Sequence, residues 1–143
     1  MTNEKIKLFL VDDDAVFLKS LEIEFLQHAD FEIETYATGE LCIKHLSHGP
    51  DVIILDYHLD GLDKTAMNGI ETLDKIKASY PDIAVVMLSS QDKIDVAINC
   101  MHHRAFDYVV KSETAIIRLK KIITSIFNYK KMEKTLNWYM ERA

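Results

Sequence analysis

Leu8-Phe9-Leu10-Val11-Asp12-Asp13-Asp14 is an unbroken apolar run that stops at three carboxylates. A run with no solvent-facing position is how a strand covered on both faces of a parallel sheet reads. Val52-Ile53-Ile54-Leu55-Asp56 and Ala84-Val85-Val86-Met87-Leu88-Ser89-Ser90 repeat the pattern, and Tyr108-Val109-Val110-Lys111 is a shorter run. Phe31-Glu32-Ile33-Glu34-Thr35-Tyr36 alternates instead, as an edge strand with one wet face does.

Working outward, the segments between these runs carry helical periods. Ala15 to His28 places Val16, Phe17, Leu21 and Phe25 among polar residues. Thr38 suits the N-cap of a helix through Leu46, with Gly49-Pro50 ending it. Met67 to Tyr80 carries Ile70, Leu73 and Ile76 on one stripe, closed by Pro81; Asp92 to Met101 is a shorter helix; and Ser112 suits the cap of a last helix from near Glu113. Strands separated by helices need right-handed crossovers, so the sheet is parallel and doubly wound. The expected fold class is α/β, a (βα)5 flavodoxin-like arrangement with strand order 2-1-3-4-5. Function in such sheets gathers at the carboxyl ends of the strands, where strand order reverses.

Each of those ends carries chemistry. Asp12-Asp13-Asp14, Asp56, Ser89-Ser90 and Lys111 follow strands one, three, four and five. Adjacent first and third strands bring Asp12, Asp13 and Asp56 together, where three carboxylates repel unless a hard divalent cation compensates. Lys111 adds positive charge from the far side. An aspartate so placed is a competent nucleophile toward a phosphoryl group. Ser89 stands where it can donate to a phosphoryl oxygen, with Tyr108 behind it. Asp14 precedes the first helix and reads as its cap. His58 and Gln91 flank the site.

These four strand-end motifs, in this order, resemble the response-regulator receiver domains of two-component signalling, over roughly residues 5 to 127. The resemblance implies Asp56 as phosphoacceptor and Lys111 as its cationic partner. It implies Mg2+ (or Mn2+) held by Asp12, Asp13, Asp56 and the backbone carbonyl of His58. Ser89 and Tyr108 become the switch residues. A histidine kinase or phosphotransfer protein becomes the donor, and the fourth helix, fifth strand and last helix form the output face. Three positions depart from the family pattern. Asp60 replaces a common proline, and Ser112 replaces the proline that usually follows the lysine. A cis bond before a residue other than proline costs ~3 kcal/mol, so the state of the Lys111-Ser112 peptide is open. The loop from Asp60 to Gly69 is also longer than usual, by about five residues.

Two rivals use related parts. A haloacid-dehalogenase-like phosphatase would take Asp12 as nucleophile with Asp14 two residues on, but Ala15 and Val16 follow. A flavodoxin-like FMN binder would want a Ser/Thr/Gly-rich loop where this chain has three carboxylates.

At 143 residues and 48% apolar, the chain suits one domain with a full core. A net charge of -6 argues against a nucleic-acid surface. Cys42 and Cys100 lack metal-ligand spacing and read as reduced thiols. His102-His103 read as solvated loop residues. Met1 to Lys7 is polar, with no secretory signal, and no apolar run approaches a membrane span. A soluble cytoplasmic protein is expected. Residues 1–127 are assigned to the receiver domain and 128–143 to a helical extension. In the extension Tyr129, Met132, Leu136 and Tyr139 recur at intervals of three and four. Such a stripe must meet another surface, either a second copy in a homodimer or an output domain to which the helix leads, and the resemblance offers the face of the fourth helix, fifth strand and last helix as the other route to a homodimer.

Overall fold

The computed structural model describes residues 5–28 and 30–142, so the start of the polar Met1–Lys7 segment and the end of the 128–143 extension lie outside the described residues. Five parallel strands lie in the order 2-1-3-4-5: β1 (Ile6–Val11), β2 (Phe31–Tyr36), β3 (Val52–Asp56), β4 (Ala84–Ser89) and β5 (Asp107–Val110). Helices α1 (Ala15–Leu26) and α5 (Ala115–Glu141) cover one face of this sheet. Helices α2 (Gly39–Lys44), α3 (Gly69–Ser79) and α4 (Ile94–His102) cover the other.

The two-residue period of a strand explains the unbroken apolar runs. Leu8, Leu10, Ile54, Val86, Leu88 and Val109 pack against Leu21 and Phe25 of α1 and Leu119 and Ile123 of α5. Phe9, Val11, Ile53, Leu55, Val85 and Met87 face Leu73 and Ile76 of α3 and Val96 of α4. Each such buried side chain contributes about 1.5–3 kcal/mol, so a polar residue on either face would be costly. β2 pairs with β1 alone, which is why it keeps a wet face. Strand order reverses between β1 and β3, where Val11 pairs with Leu55. Asp12 and Asp56 therefore emerge one step past the same register pair.

Several boundaries differ from the sequence reading. α1 stops at Leu26, and α2 stops at Lys44 before a 3-10 turn at Leu46–His48 that left-handed Gly49 (φ 74°) closes. α3 starts at Gly69, not Met67, because Asn68 and Glu71 form a reciprocal capping box. α4 starts at Ile94 rather than Asp92. α5 starts at Ala115, and Ser112 does not cap it: a turn closed by the Ala115 N–H to the Ser112 carbonyl (3.1 Å) intervenes, and the Ser112 hydroxyl faces Thr114 at 3.2 Å. Neighbouring hydroxyls compete for that role, and sequence does not rank them. The caps at Asp14 and Thr38 form as read. No peptide among the described residues is cis, so Lys111-Ser112 is trans. His103 is not simply solvated, since its Nδ1 lies 2.7 Å from Asp74 Oδ1. Both cysteines are free and buried, and burial pushes their thiols up, Cys42 to about 12 and Cys100 to about 11. Among the described residues no helix is long and apolar enough to cross a membrane.

Candidate functional site

Asp12 follows β1 and Asp56 ends β3, and the two carboxylates are almost fully buried, at 1% and 3% exposure. Asp13 joins them from the rim, so that one carboxylate oxygen of each lies within 4.8 Å of the other two. Backbone N–H groups orient all three. Asp14 donates to Asp12 Oδ1 (2.9 Å), His58 to Asp56 Oδ1 (3.4 Å) and Leu62 to Asp13 Oδ2 (3.3 Å). Lys111 reaches in from the end of β5, its Nζ 2.8 Å from Asp12 Oδ2 and 3.5 Å from Asp56 Oδ1. The same ammonium stands 4.5 Å from the centre of the Phe17 ring on α1.

Charge in this cluster is unbalanced. Burial, then the charge of Asp12, pushes the Asp56 carboxyl up to about 7; Lys111 and the His58 N–H oppose that shift, and Asp13 adds to it. Burial works against the Lys111 ammonium as well, yet its contact with Asp12 and the charge of Asp56 raise it above its ordinary value. One ammonium thus contacts two of three crowded carboxylates. Asp12 Oδ2 is buried, and the ammonium at 2.8 Å is its near partner, which leaves a carboxylate oxygen lone-pair capacity to spare. Three hard, crowded oxygens with a spare lone pair suit a small divalent cation. The His58 carbonyl borders the same space: a methyl group at Gly61 would lie 3.3 Å from Asp13 Oδ2 and 3.6 Å from His58 O.

Ser89, at the end of β4, is fully buried and accepts the Gln91 N–H on its Oγ at 3.0 Å. The Tyr108 hydroxyl donates to the Gln91 carbonyl, and burial raises the phenol above its ordinary value. The serine and the tyrosine are thus joined through one backbone residue. The return of the chain into α3 is equally close. A side chain at Gly69 would strike Asp56 O at 2.5 Å and Tyr57 Cα at 2.7 Å, so only glycine fits there. Asp14 accepts from Val16 N and Phe17 N, which commits the second carboxylate of the phosphatase-like alternative to capping.

The structure therefore brings Asp12, Asp13, Asp56 and Lys111 into one cluster, with the His58 carbonyl facing Gly61 beside Asp13 and with Ser89 and Tyr108 coupled through Gln91. Sequence reasoning missed Phe17 under the lysine, Gly61 and Leu62 over Asp13, and the close approach at Gly69. For Gly69 a signal existed in the glycine next to a helix start; for the others the loop path was needed.

A family model described as the response regulator receiver domain matches residues 8–124. The regulatory protein LuxO of Vibrio vulnificus is 30% identical over 100 residues, covering 69% of this chain and 21% of that protein. The chain spans about a fifth to a third of the length of the curated relatives it matches. A signal receiver domain from Vibrio parahaemolyticus superposes with a TM-score of 0.79 at 22% identity, over 92% of this chain and 97% of the other. A chain of the CheX-CheY-BeF3-Mg2+ complex from Borrelia burgdorferi superposes with a TM-score of 0.74 at 24% identity, over 87% and 90%. At these identities the structural matches establish the fold.

Proposed function

The chain belongs to the response regulator receiver domains of two-component signalling, and we propose that Asp56 is its phosphoacceptor, charged by a histidine kinase or phosphotransfer protein. The observation that carries this is the Asp12–Asp13–Asp56 cluster, buried at Asp12 and Asp56, with Lys111 spanning those two. An Asp56 carboxylate oxygen attacks phosphorus; the P–O bond forms as the P–N bond of the donor phosphohistidine breaks, and the imidazole nitrogen keeps the electron pair. Lys111 stays against the carboxylates and meets the incoming negative charge. The Ser89 hydroxyl turns from the Gln91 N–H toward a phosphoryl oxygen. Since Tyr108 also bonds Gln91, that turn loosens the tyrosine.

Asp12, Asp13, Asp56 and the His58 carbonyl would hold Mg2+ or Mn2+, which when bound offsets the carboxylates and the phosphoryl oxygens. The Borrelia CheX-CheY-BeF3-Mg2+ complex supports this by likeness of fold. On this reading residues 1–127 are a switch rather than a metabolic enzyme, α4, β5 and the start of α5 are its output face, and residues 128–143 are a helical extension that pairs with a second copy or leads to an output domain. The test is incubation with Mg2+ and a small phosphodonor, read by intact mass. A single phosphoryl adduct is expected, absent in Asp56→Asn; an unmodified wild type, or an adduct that survives in the variant, would overturn the proposal.

A further inference from the structure

We propose that the long loop between β3 and α3, residues 57–68, is itself part of the cation site, with the Leu62 N–H holding Asp13 in place and Gly61 leaving the space its oxygens need. This inference rests on the reading of Asp13 as a cation ligand.

The path of the loop is fixed from several directions. The Gly69 N–H bonds the Tyr57 carbonyl at 3.1 Å, closing its base. The Met67 N–H donates to Glu40 Oε2 of α2 at 3.1 Å. Between these, Asp63 accepts the Thr65 N–H (2.9 Å) and hydroxyl (2.7 Å), and the Ala66 N–H closes a turn on the Asp63 carbonyl (3.0 Å). Leu59 is buried in the core beneath. Held so, the segment around Gly61 and Leu62 lies over Asp13.

What that segment contributes is backbone. The Leu62 side chain is 83% exposed, so burial of its apolar surface does not place it there. Its N–H meets Asp13 Oδ2 at 3.3 Å. Asp13 lies at the rim of the cluster, and a carboxylate there samples many rotamers unless something holds it. A donor on one oxygen orients the group without using its remaining lone pairs. Gly61 is the complement of that contact. Its missing side chain would press on Asp13 Oδ2 at 3.3 Å and sit in ordinary contact with His58 O at 3.6 Å, both in the proposed ligand set. Two consecutive loop residues thus serve the same Asp13 oxygen, one by donating and one by leaving room.

The test uses the unphosphorylated protein and MgCl2, with affinity read from amide chemical shifts around Asp13 and Asp56. Gly61→Ala and Leu62→Pro are expected to weaken Mg2+ binding by about tenfold or more, while Leu62→Ala, which keeps the N–H, stays within about twofold of wild type. A second readout needs no metal: the Leu62 amide should exchange faster in Asp13→Ala than in wild type. If Gly61→Ala and Leu62→Pro bind Mg2+ as wild type does while Asp13→Asn loses it, the loop has no such role and the cation reading stands. If Asp13→Asn also binds normally, the cation reading itself fails.

Discussion

Lys111 lies 2.8 Å from Asp12 and 3.5 Å from Asp56, so neither carboxylate has it alone, and Asp56 ionises against its neighbours. The pH consequence has a definite sign. The folded pKa of Asp56, about 7, lies above its ordinary 3.8, so its ionisation costs stability progressively as pH rises between those values. In EDTA at pH 7.5, Asp56→Asn should therefore be more stable than wild type by about 1–3 kcal/mol, a gain that vanishes below pH ~4; urea unfolding at both pH values checks it. Equal stability at pH 7.5 would mean the cluster stores no repulsion. The principal acids, Ser89 and Lys111 were legible in sequence because each terminates an apolar run whose direction and neighbours the (βα)5 pattern dictates. Phe17, Gly61, Leu62 and the Gln91 backbone were not. Their roles depend on how loops turn back, and no periodicity encodes that.

Among the elements, α5 asks for the most explanation. Leu119, Ile123 and Ile126 are buried against the sheet, whereas Tyr129, Met132, Leu136, Tyr139 and Met140 are exposed. At about 100° per residue, the exposed stripe is rotated by roughly a quarter turn from the buried line. Lys130 stays on the buried line, its Nζ donating to the Asp51 carbonyl at 3.0 Å. The three-and-four spacing of the stripe was visible in sequence; its rotation away from the sheet was not, since that emerges only when the first half of the helix is docked. A stripe turned from its own core is suited to a second copy of the same helix. We expect the mass measured by sedimentation to rise with concentration, and Leu136→Glu to hold the protein at one chain with its circular dichroism spectrum intact. A mass of one chain for wild type at high micromolar concentration would defeat dimerisation and favour the helix as a route to another domain.

For the whole molecule, stability should depend on two clusters of opposite character. The carboxylates at the top of the sheet are relieved by a cation, so saturating Mg2+ should raise the melting temperature and EDTA should reverse it; at a hundredfold excess over Kd the gain is about 2.7 kcal/mol. Asp13→Asn should blunt that response. On the β2 edge, Glu34 is disfavoured by burial but held at about 2 by His48 (2.6 Å), Tyr36 (2.8 Å) and Lys7 (3.1 Å). That lowered pKa stabilises the fold above the ordinary 4.5, and the contribution is lost as pH falls from there toward 2. With His48 open to solvent, about 1–2 kcal/mol is at stake, and Glu34→Gln should flatten that part of the acid-unfolding curve. An unchanged curve would show that the network is worth nothing in water. One further consequence is mechanical. α5 begins four residues past Lys111 and runs for 27 residues, about 40 Å. It is gripped again at Lys130, beside the amino end of β3. Taken as a lever pivoting at Lys130, its arm toward the carboxylates is about 22 Å and its outer arm, Lys130 to Glu141, about 16 Å. A tilt of about 5° about that grip moves the outer tip by about 1.4 Å against about 2 Å at the inner end, so a shift at the carboxylates would leave the domain as a stroke of similar size and opposite direction.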